Sequence, residues 1–280
     1  MKTRRIGALI GATTLALALG ACGSSDDGTA SGGSSGSAAG GDSIKIGIKF
    51  DQPGLGLFDA GKYSGFDVDV ANYVAKELGK TNVTFIQSPS KQREDLIATG
   101  QVDLIFATYS ITDERKQKVS FAGPYFVAGQ DLLVATDSDI TGPEGLDGKK
   151  LCSVTGSTSA QKVKDSYPGV QLQNFDTYSK CLDLVVNGQL DALTTDNTIL
   201  AGYAAQPAYK GKLKVVGKPF STENYGVGVK KGDKAFCEQV STAIKDMVSD
   251  GSWQSYVDKN FGPASYKPGT GNPPTPAACS

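Results

Sequence analysis

Residues Ile44-Lys45-Ile46-Gly47-Ile48 alternate apolar and polar, the period-two pattern of a strand with one face turned to a core. From Gly65-Phe66 the period lengthens. Phe66, Val70, Val74 and Leu78 recur at every fourth residue, which predicts a helix, and Gly79 is placed to stop it. Val83–Ile86 returns to strand character, Lys91–Thr99 predicts a short helix, and Val102–Thr108 is an apolar run suited to a buried strand. Farther on, Leu151–Val154 predicts a strand and Ser159–Ser166 a helix. Strands and helices alternating at these lengths predict an α/β architecture with largely parallel sheets.

Within this pattern a short segment repeats. Gly100-Gln101-Val102-Asp103-Leu104 recurs as Gly188-Gln189-Leu190-Asp191-Ala192. Each copy follows a short helix, starts a strand and runs into Ser/Thr-rich sequence ending at a charged residue. The first reaches Thr108-Tyr109-Ser110-Ile111-Thr112 and then Arg115; the second reaches Thr194-Thr195-Asp196. Coincidence competes with a true repeat over so few residues. If the repeat is real, two similar lobes each aim hydroxyls and one charge, of opposite sign, from the C-terminal ends of their strands. That edge is where open α/β sheets bind ligands.

Ahead of the first strand the composition changes twice. Lys2, Arg4 and Arg5 precede the apolar run Ile6–Leu19, whose 14 residues fall short of the roughly 20 that span a bilayer as a helix. An export signal over 1–21 is predicted. It ends in Leu19-Gly20-Ala21-Cys22, which resembles the lipobox of bacterial lipoproteins, so cleavage before Cys22 and a diacylglycerol on its thiol are expected; an ordinary signal peptide with a chance cysteine is the competing reading. Gly23–Ser43 is almost wholly Gly, Ser, Ala, Thr and Asp and cannot bury enough apolar surface to offset its ordering entropy. Residues 22–43 are therefore expected to tether the domain to the outer face of the cytoplasmic membrane, with a reach on the order of 25 Å. In that oxidising setting the even set Cys152, Cys181, Cys237 and Cys279 suggests disulfides. Cys152–Cys181 is the pairing expected first; Cys237–Cys279 is the remaining one and would pin the Pro-rich tail 268–280.

Composition narrows the chemistry. The chain is 39% hydrophobic with a formal net charge of −1, and its export segment holds three cations and no acid. The rest is more acidic still, which gives no electrostatic support for nucleic acid. Histidine is absent, which excludes Ser-His-Asp triads, histidine general bases and His-ligated zinc. No metal or cofactor is expected.

Four features converge on a small zwitterion. Arg115, with Thr108 and Ser110 nearby, offers a planar fork for a carboxylate. Gly156-Ser157-Thr158 forms a glycine turn at a helix start, where free N–H groups suit an anion. Asp196 suits an ammonium, and Lys49, at the end of the first strand, adds a cation. Each has a plainer reading: Arg115 on a solvated helix face within Asp113-Glu114-Arg115-Lys116, Gly156-Ser157-Thr158 as a capped helix start, Asp196 as a helix cap, Lys49 as a surface lysine.

Gly65-Phe66-Asp67-Val68-Asp69-Val70, Thr108 through Arg115, Leu146-Asp147-Gly148-Lys149, Gly156-Ser157-Thr158 and Gly188 through Asp196 resemble the polar amino acid family (family 3) of ABC-transporter solute-binding proteins, over about residues 44–262. The resemblance implies a type II periplasmic-binding-protein fold: two α/β lobes joined by a two-strand hinge. Lobe 1 would span 44–132 plus 226–267 and lobe 2 would span 133–225, with strands crossing near Leu132–Ala135 and Tyr225–Val229. It also implies roles. Arg115 and Ser110 would hold an α-carboxylate, on which Gly156, Ser157 and Thr158 close from the second lobe. Asp196 and the Thr108 carbonyl would take an α-ammonium, and Lys49 lies where binders of acidic amino acids place a cation. The family's aromatic wall would be Phe50, Phe58 or Tyr109.

Lys49 through Gly56 and Leu151 through Val154 resemble the glutamate-binding lipoproteins of actinobacteria within that family. Charge points the same way, since Arg115 and Lys49 against Asp196 match the three charges of L-glutamate. Glutamine would leave Lys49 buried and unpaired. Aspartate and glutamine remain alternatives, and Arg93 competes with Lys49 for the side-chain carboxylate. The resemblance implies hinge closure with no bond made or broken, delivery to an ABC permease with its ATPase, and a monomer attached to the membrane by its lipid anchor alone. A sensor lipoprotein, or an enzyme on the same fold, are the rival functions.

Overall fold

A computed structural model describes residues 41–280; the expected export signal, Cys22 and nearly all of the tether lie outside the described residues. The alternating segment forms β1 (Ser43–Ile48), followed by three short strands, β2 (Asp51–Gln52), β3 (Gly56–Asp59) and β4 (Lys62–Ser64), that pair into a small antiparallel sheet. The i+4 stripe becomes α1 (Phe66–Glu77), with Phe66, Val70 and Val74 fully buried. Gly65 sits at φ +120°, where a Cβ would lie 2.0 Å from the Leu55 carbonyl oxygen, so only glycine allows the chain to enter this helix. At its far end Gly79 N–H bonds the Lys76 carbonyl and Lys80 N–H the Ala75 carbonyl, a Schellman closure.

Next come β5 (Asn82–Gln87), a 3-10 turn over Ser90–Gln92, α2 (Arg93–Ala98), β6 (Leu104–Phe106), α3 (Asp113–Lys116) and β7 (Val119–Ala128). The second half contains β8 (Gln130–Ala135), β9 (Lys150–Val154), α4 (Thr158–Ser166), β10 (Gln171–Phe175), α5 (Ser179–Val186), β11 (Ala192–Asp196), α6 (Asn197–Ala204) and β12 (Leu213–Val215). The chain ends with β13 (Glu223–Lys230), α7 (Lys234–Ser249), α8 (Ser252–Phe261) and the tail.

Two five-stranded sheets result, ordered β5-β1-β6-β13-β7 and β10-β9-β11-β8-β12. In each, three strands run parallel and the remaining two are antiparallel to a neighbour. The repeated segment does the same work in both. Gly100 and Gly188 take φ +69° and +68°. Asp103 then grips Lys45 at the start of β1, donating its N–H to the Lys45 carbonyl and accepting the Lys45 N–H on Oδ2, each at 2.8 Å. Asp191 grips Lys150 at the start of β9 in the same way, at 2.8 and 2.7 Å.

The chain passes between the sheets at Gly129 and again over 217–222, a few residues ahead of the expected Leu132–Ala135 and Tyr225–Val229. Those two apolar segments are instead interior strands of their own sheets, with Leu132, Leu133, Val134, Tyr225, Val227 and Val229 fully buried. The crossing needs small residues. A Cβ on Gly129 would lie 2.8 Å from both Pro219 and Ser221, so the two passages run side by side, joined by Phe220 N–H to the Gln130 carbonyl.

Both expected disulfides are present: Cys152–Cys181 ties β9 to α5, and Cys237–Cys279 ties α7 to the tail. The tail lies along β7, the edge of the first sheet, where Ser280 exchanges backbone hydrogen bonds with Phe121, Ala277 N–H bonds the Gly123 carbonyl, and Asn272 bonds Val127 through its amide. An edge that would otherwise be open to another chain is thereby covered. Closing loops with sequence separations of 29 and 42 residues restricts the unfolded chain. Replacing either pair by serine is expected to lower unfolding free energy by about 3–4 kcal/mol in the chain-entropy model. Urea melts of the double-serine variants check this, and an unchanged midpoint counts against it.

Candidate ligand-binding site

The C-terminal ends of β1, β6, β9 and β11 face one another across a gap between the lobes, which follows from the shared strand order. The lobes meet closely there, and the gap keeps a narrow cavity of only about 10 Å³. Lobe 1 contributes Ser90, Arg93, Thr108 and Arg115 to its wall, and lobe 2 contributes Ser157, Thr158, Ser159, Tyr178, Asp196 and Ile199.

Arg115 is buried although its neighbours Asp113, Glu114 and Lys116 on α3 are not, so the solvated-face reading does not hold. Thr112 caps this short helix by accepting the Arg115 N–H on its hydroxyl at 3.2 Å. The Arg115 guanidinium donates from Nη1 to the Ser110 carbonyl at 2.8 Å and from Nη2 to the Gly156 carbonyl of the other lobe at 3.1 Å. Ser110 Oγ lies 3.4 Å from Thr158 Oγ1, which donates to Glu223 Oε2 at 3.0 Å. Gly156, at φ +79°, sits at the mouth, where a Cβ would lie 2.8 Å from Lys91 Cα of the opposite lobe.

Thr108 is held with φ +46°, rare for a residue bearing a side chain. Asp67 supports it. Its Oδ2 accepts the Thr108 N–H at 2.9 Å while Oδ1 accepts the Tyr125 hydroxyl, and burial raises its pKa to about 6. The backbone bends here, and the ladder strand is Leu104–Phe106 rather than Val102–Thr108, although burial continues through Ser110.

Lys49 is buried, not a surface lysine. Its Nζ donates to Ser90 Oγ at 2.8 Å, which places it behind the cavity wall. Burial, reinforced by Arg93, lowers its pKa to about 7. Arg93 reaches the wall itself, donating to the Ser90 and Ala107 carbonyls. Burial and the nearby Arg115 lower its pKa to about 10. Among the described residues no carboxylate stands within ion-pair distance of Lys49 or Arg93, and Arg115 has only Glu94, at 3.7 Å from Nε.

In lobe 2, Ser157 caps α4 by accepting the Ala160 N–H at 3.0 Å. The capped-start reading therefore describes this turn, and the other first-turn amides have no partner within the helix, as at any helix start. Asp196 begins α6, yet its side chain makes no capping bond. Its Oδ2 accepts the Tyr225 hydroxyl at 2.5 Å, and its Oδ1 is buried with no partner. Burial, reinforced by Glu223, raises its pKa to about 8.

Of the aromatic candidates, Phe50 and Phe58 pack with Tyr63 in a cluster whose Phe58 is 41% exposed, and they do not line the cavity. Tyr109 lies fully buried behind Arg93 and Arg115. The aromatic in the wall is Tyr178, to which no sequence motif pointed. Ser90 was also missed, although Ser90-x-x-Arg93 spacing at a helix start puts both on one face. The described residues include no group of acidic, histidine or cysteine side chains placed to hold a metal, and no helix long and apolar enough to cross a membrane. Cationic side chains facing an unpartnered carboxylate oxygen across one cavity are equipped to hold a small anion-rich zwitterion.

The family model of bacterial extracellular solute-binding proteins, family 3, matches residues 44–263. The glutamate-binding protein GluB of Corynebacterium glutamicum is 47% identical over 96% of this chain and 94% of its own length. The glutamine-binding protein GlnH of Bacillus subtilis is 38% identical over 78% of this chain and 81% of its own. Among solved structures, an ancestral arginine-binding protein bound to arginine superposes with a TM-score of 0.74 at 36% identity, covering 79% of this chain and 99% of that one. With matching strand architecture and a polar cavity between the lobes, the chain belongs to the bacterial extracellular solute-binding proteins of family 3.

Proposed function

We propose that this chain is the extracytoplasmic receptor of an ABC importer, anchored through a lipidated Cys22, and that it binds L-glutamate and passes it to a membrane permease. The observation that carries the reading is the charge imbalance of the cavity: Lys49, Arg93 and Arg115 are buried with Glu94 as the one carboxylate within ion-pair distance of any of them among the described residues, opposite an Asp196 oxygen that lacks a partner. Arg115 and the first turn of α4 take the α-carboxylate. Asp196 and the Thr108 carbonyl take the ammonium. Arg93 takes the side-chain carboxylate directly, with Lys49 behind it through Ser90. The name of the Corynebacterium relative supports glutamate, and the imbalance favours a dianion over the glutamine that the Bacillus relative is named for. Both lobes wall the cavity, so the ligand enters when they part and is enclosed when they close about Gly129 and 217–222.

A thermal-shift screen of the twenty amino acids, after unfolding and refolding to strip carried-over ligand, tests this reading. A raised melting temperature with glutamate and aspartate above all others is expected; a response confined to glutamine or to basic amino acids overturns it. Arg115→Ala is expected to weaken glutamate binding by about 2–5 kcal/mol, because it strands a desolvated carboxylate. Isothermal titration measures this, and a change below about threefold, or roughly 0.7 kcal/mol, removes the assignment.

The pKa shifts set a pH profile. Pairing with an ammonium requires ionised Asp196, and pairing with a second carboxylate is helped by protonated Lys49. In the empty protein Asp196 ionises near pH 8 and Lys49 loses its proton near pH 7. Glutamate affinity is therefore expected to peak between about pH 7 and 8. Below that window it falls because Asp196, facing Glu223, Tyr225, Arg115 and Arg93, holds a proton that binding must expel. Above it, affinity falls because Lys49, facing Arg93, Asp51, Arg115 and Asp67, has lost its own. Glutamine should show the acid limb alone. Titrations from about pH 5.5 to 9 check this, and a flat glutamate profile contradicts it.

A further inference from the structure

Two guanidinium groups share one aromatic ring behind the cavity wall. Arg93 Cζ stands 4.2 Å and Arg115 Cζ 5.0 Å from the centroid of Tyr109, and all three residues are buried. The Tyr109 hydroxyl donates to Glu94 Oε1 at 2.7 Å, and the same oxygen lies 3.7 Å from Arg115 Nε. The ring is wedged in place. Phe121 packs edge-on with centroids 4.8 Å apart, and a Cβ on Gly228 would lie 2.9 Å from Tyr109 Cε1, so β13 leaves room for the ring by carrying glycine there.

Like charges flanking one buried ring repel, and Arg115 accordingly helps to lower the pKa of Arg93. The negative face of an aromatic ring opposes that repulsion. A phenol that donates to a carboxylate gains electron density, so Glu94 strengthens the attraction of the ring for both cations. Glu94 does this from the side, through the tyrosine hydroxyl and Arg115 Nε. The terminal nitrogens are instead steered by the backbone carbonyls of Ala107, Ser110 and Gly156. Their remaining N–H groups stay available to a ligand.

We propose that Tyr109 and Glu94 are positioning residues that set the preference of the site for a dianionic over a monoanionic amino acid, by holding Arg93 and Arg115 together as a pair of fixed cations. The inference rests on the acidic-ligand reading above. Without the ring both guanidinium groups lose the surface they rest on, and the second carboxylate loses a fixed partner. An amide ligand, which needs only one of them, loses little.

Isothermal titration of glutamate and glutamine against wild type, Tyr109→Leu, Tyr109→Phe and Glu94→Gln tests the proposal, with thermal melts to establish folding. Tyr109→Leu is expected to lower the ratio of glutamate to glutamine affinity about tenfold, and Tyr109→Phe and Glu94→Gln about threefold each. The Tyr109→Phe/Glu94→Gln double variant should lower it by less than the two single effects combined, because their shared hydrogen bond is lost only once, while Glu94→Gln alone also removes the ion pair to Arg115. A merely structural role weakens both ligands alike and leaves the ratio fixed; that result overturns the proposal. Should Tyr109→Leu fail to fold, the two packing-conserving variants decide. A wild type with no preference for glutamate overturns the acidic-ligand reading and this inference with it. A wild-type preference that persists unchanged in the folded variants overturns the inference alone.

Discussion

Burying a cation without a carboxylate beside it costs several kcal/mol, and this chain does so repeatedly within one wall: at Lys49, at Arg93 and, save for a distant Glu94, at Arg115. What holds them is backbone and hydroxyl oxygen. The carbonyls of Ser90, Ala107, Ser110 and Gly156 and the Ser90 hydroxyl accept from the three side chains. Neutral acceptors satisfy hydrogen bonds but leave the charge only partly compensated, by Glu94 at 3.7 Å from Arg115 and by the more distant Asp51 and Asp67. The wall therefore keeps a standing demand for anionic groups, and the proposed function follows from that demand more than from any single residue.

The fold delivers those groups to one place by using one device twice. Asp103 and Asp191 each clamp the start of a neighbouring strand through a lysine backbone, which sets register in both sheets. With register set, the strand ends that carry Lys49, Thr108 and Asp196 open on a common gap. The lobes also touch directly around it. Arg115 reaches the Gly156 carbonyl, the Tyr203 hydroxyl donates to the Asp51 carbonyl at 2.7 Å, and Lys91 pairs with Asp176 at 3.0 Å. The last pair is exposed and contributes little; the two partly buried contacts carry the register between lobes.

Much of this was legible because it depends on local pattern. The i+4 stripe from Phe66, the alternation at Ile44–Ile48 and the paired Gly-Gln-x-Asp segments each have a short-range physical cause, and each marks an element that is present. The paired disulfide cysteines follow from compartment and count. Long-range packing was less legible. Leu132–Ala135 suggested a crossing strand, yet its burial comes from neighbours on both sides within one sheet, and the true crossing at Gly129 is marked only by a glycine. Tyr178 lines the cavity because α5 begins there, and no motif announces that. Asp67 matters because its carboxylate reaches Thr108 across 41 positions, a distance that periodicity does not see.

The division of charge between the lobes explains why a zwitterion, rather than any anion, would bring them together. Lys49, Arg93 and Arg115 stand on one lobe, and Asp196 on the other. In the empty protein burial and Glu223 keep Asp196 protonated below about pH 8, so near neutrality the two lobes offer each other little direct ion pairing. A simple anion satisfies the cations and leaves Asp196 neutral, with Oδ1 still unpartnered. An ammonium on the same molecule changes this: it favours the ionised carboxylate, and the ligand then bridges a positive wall and a negative one. Under the proposed reading, closure becomes tight only when one molecule carries both kinds of charge at the spacing of an α-amino acid. On the same reading a second carboxylate decides among amino acids, through cations that the tyrosine ring is proposed to keep in place.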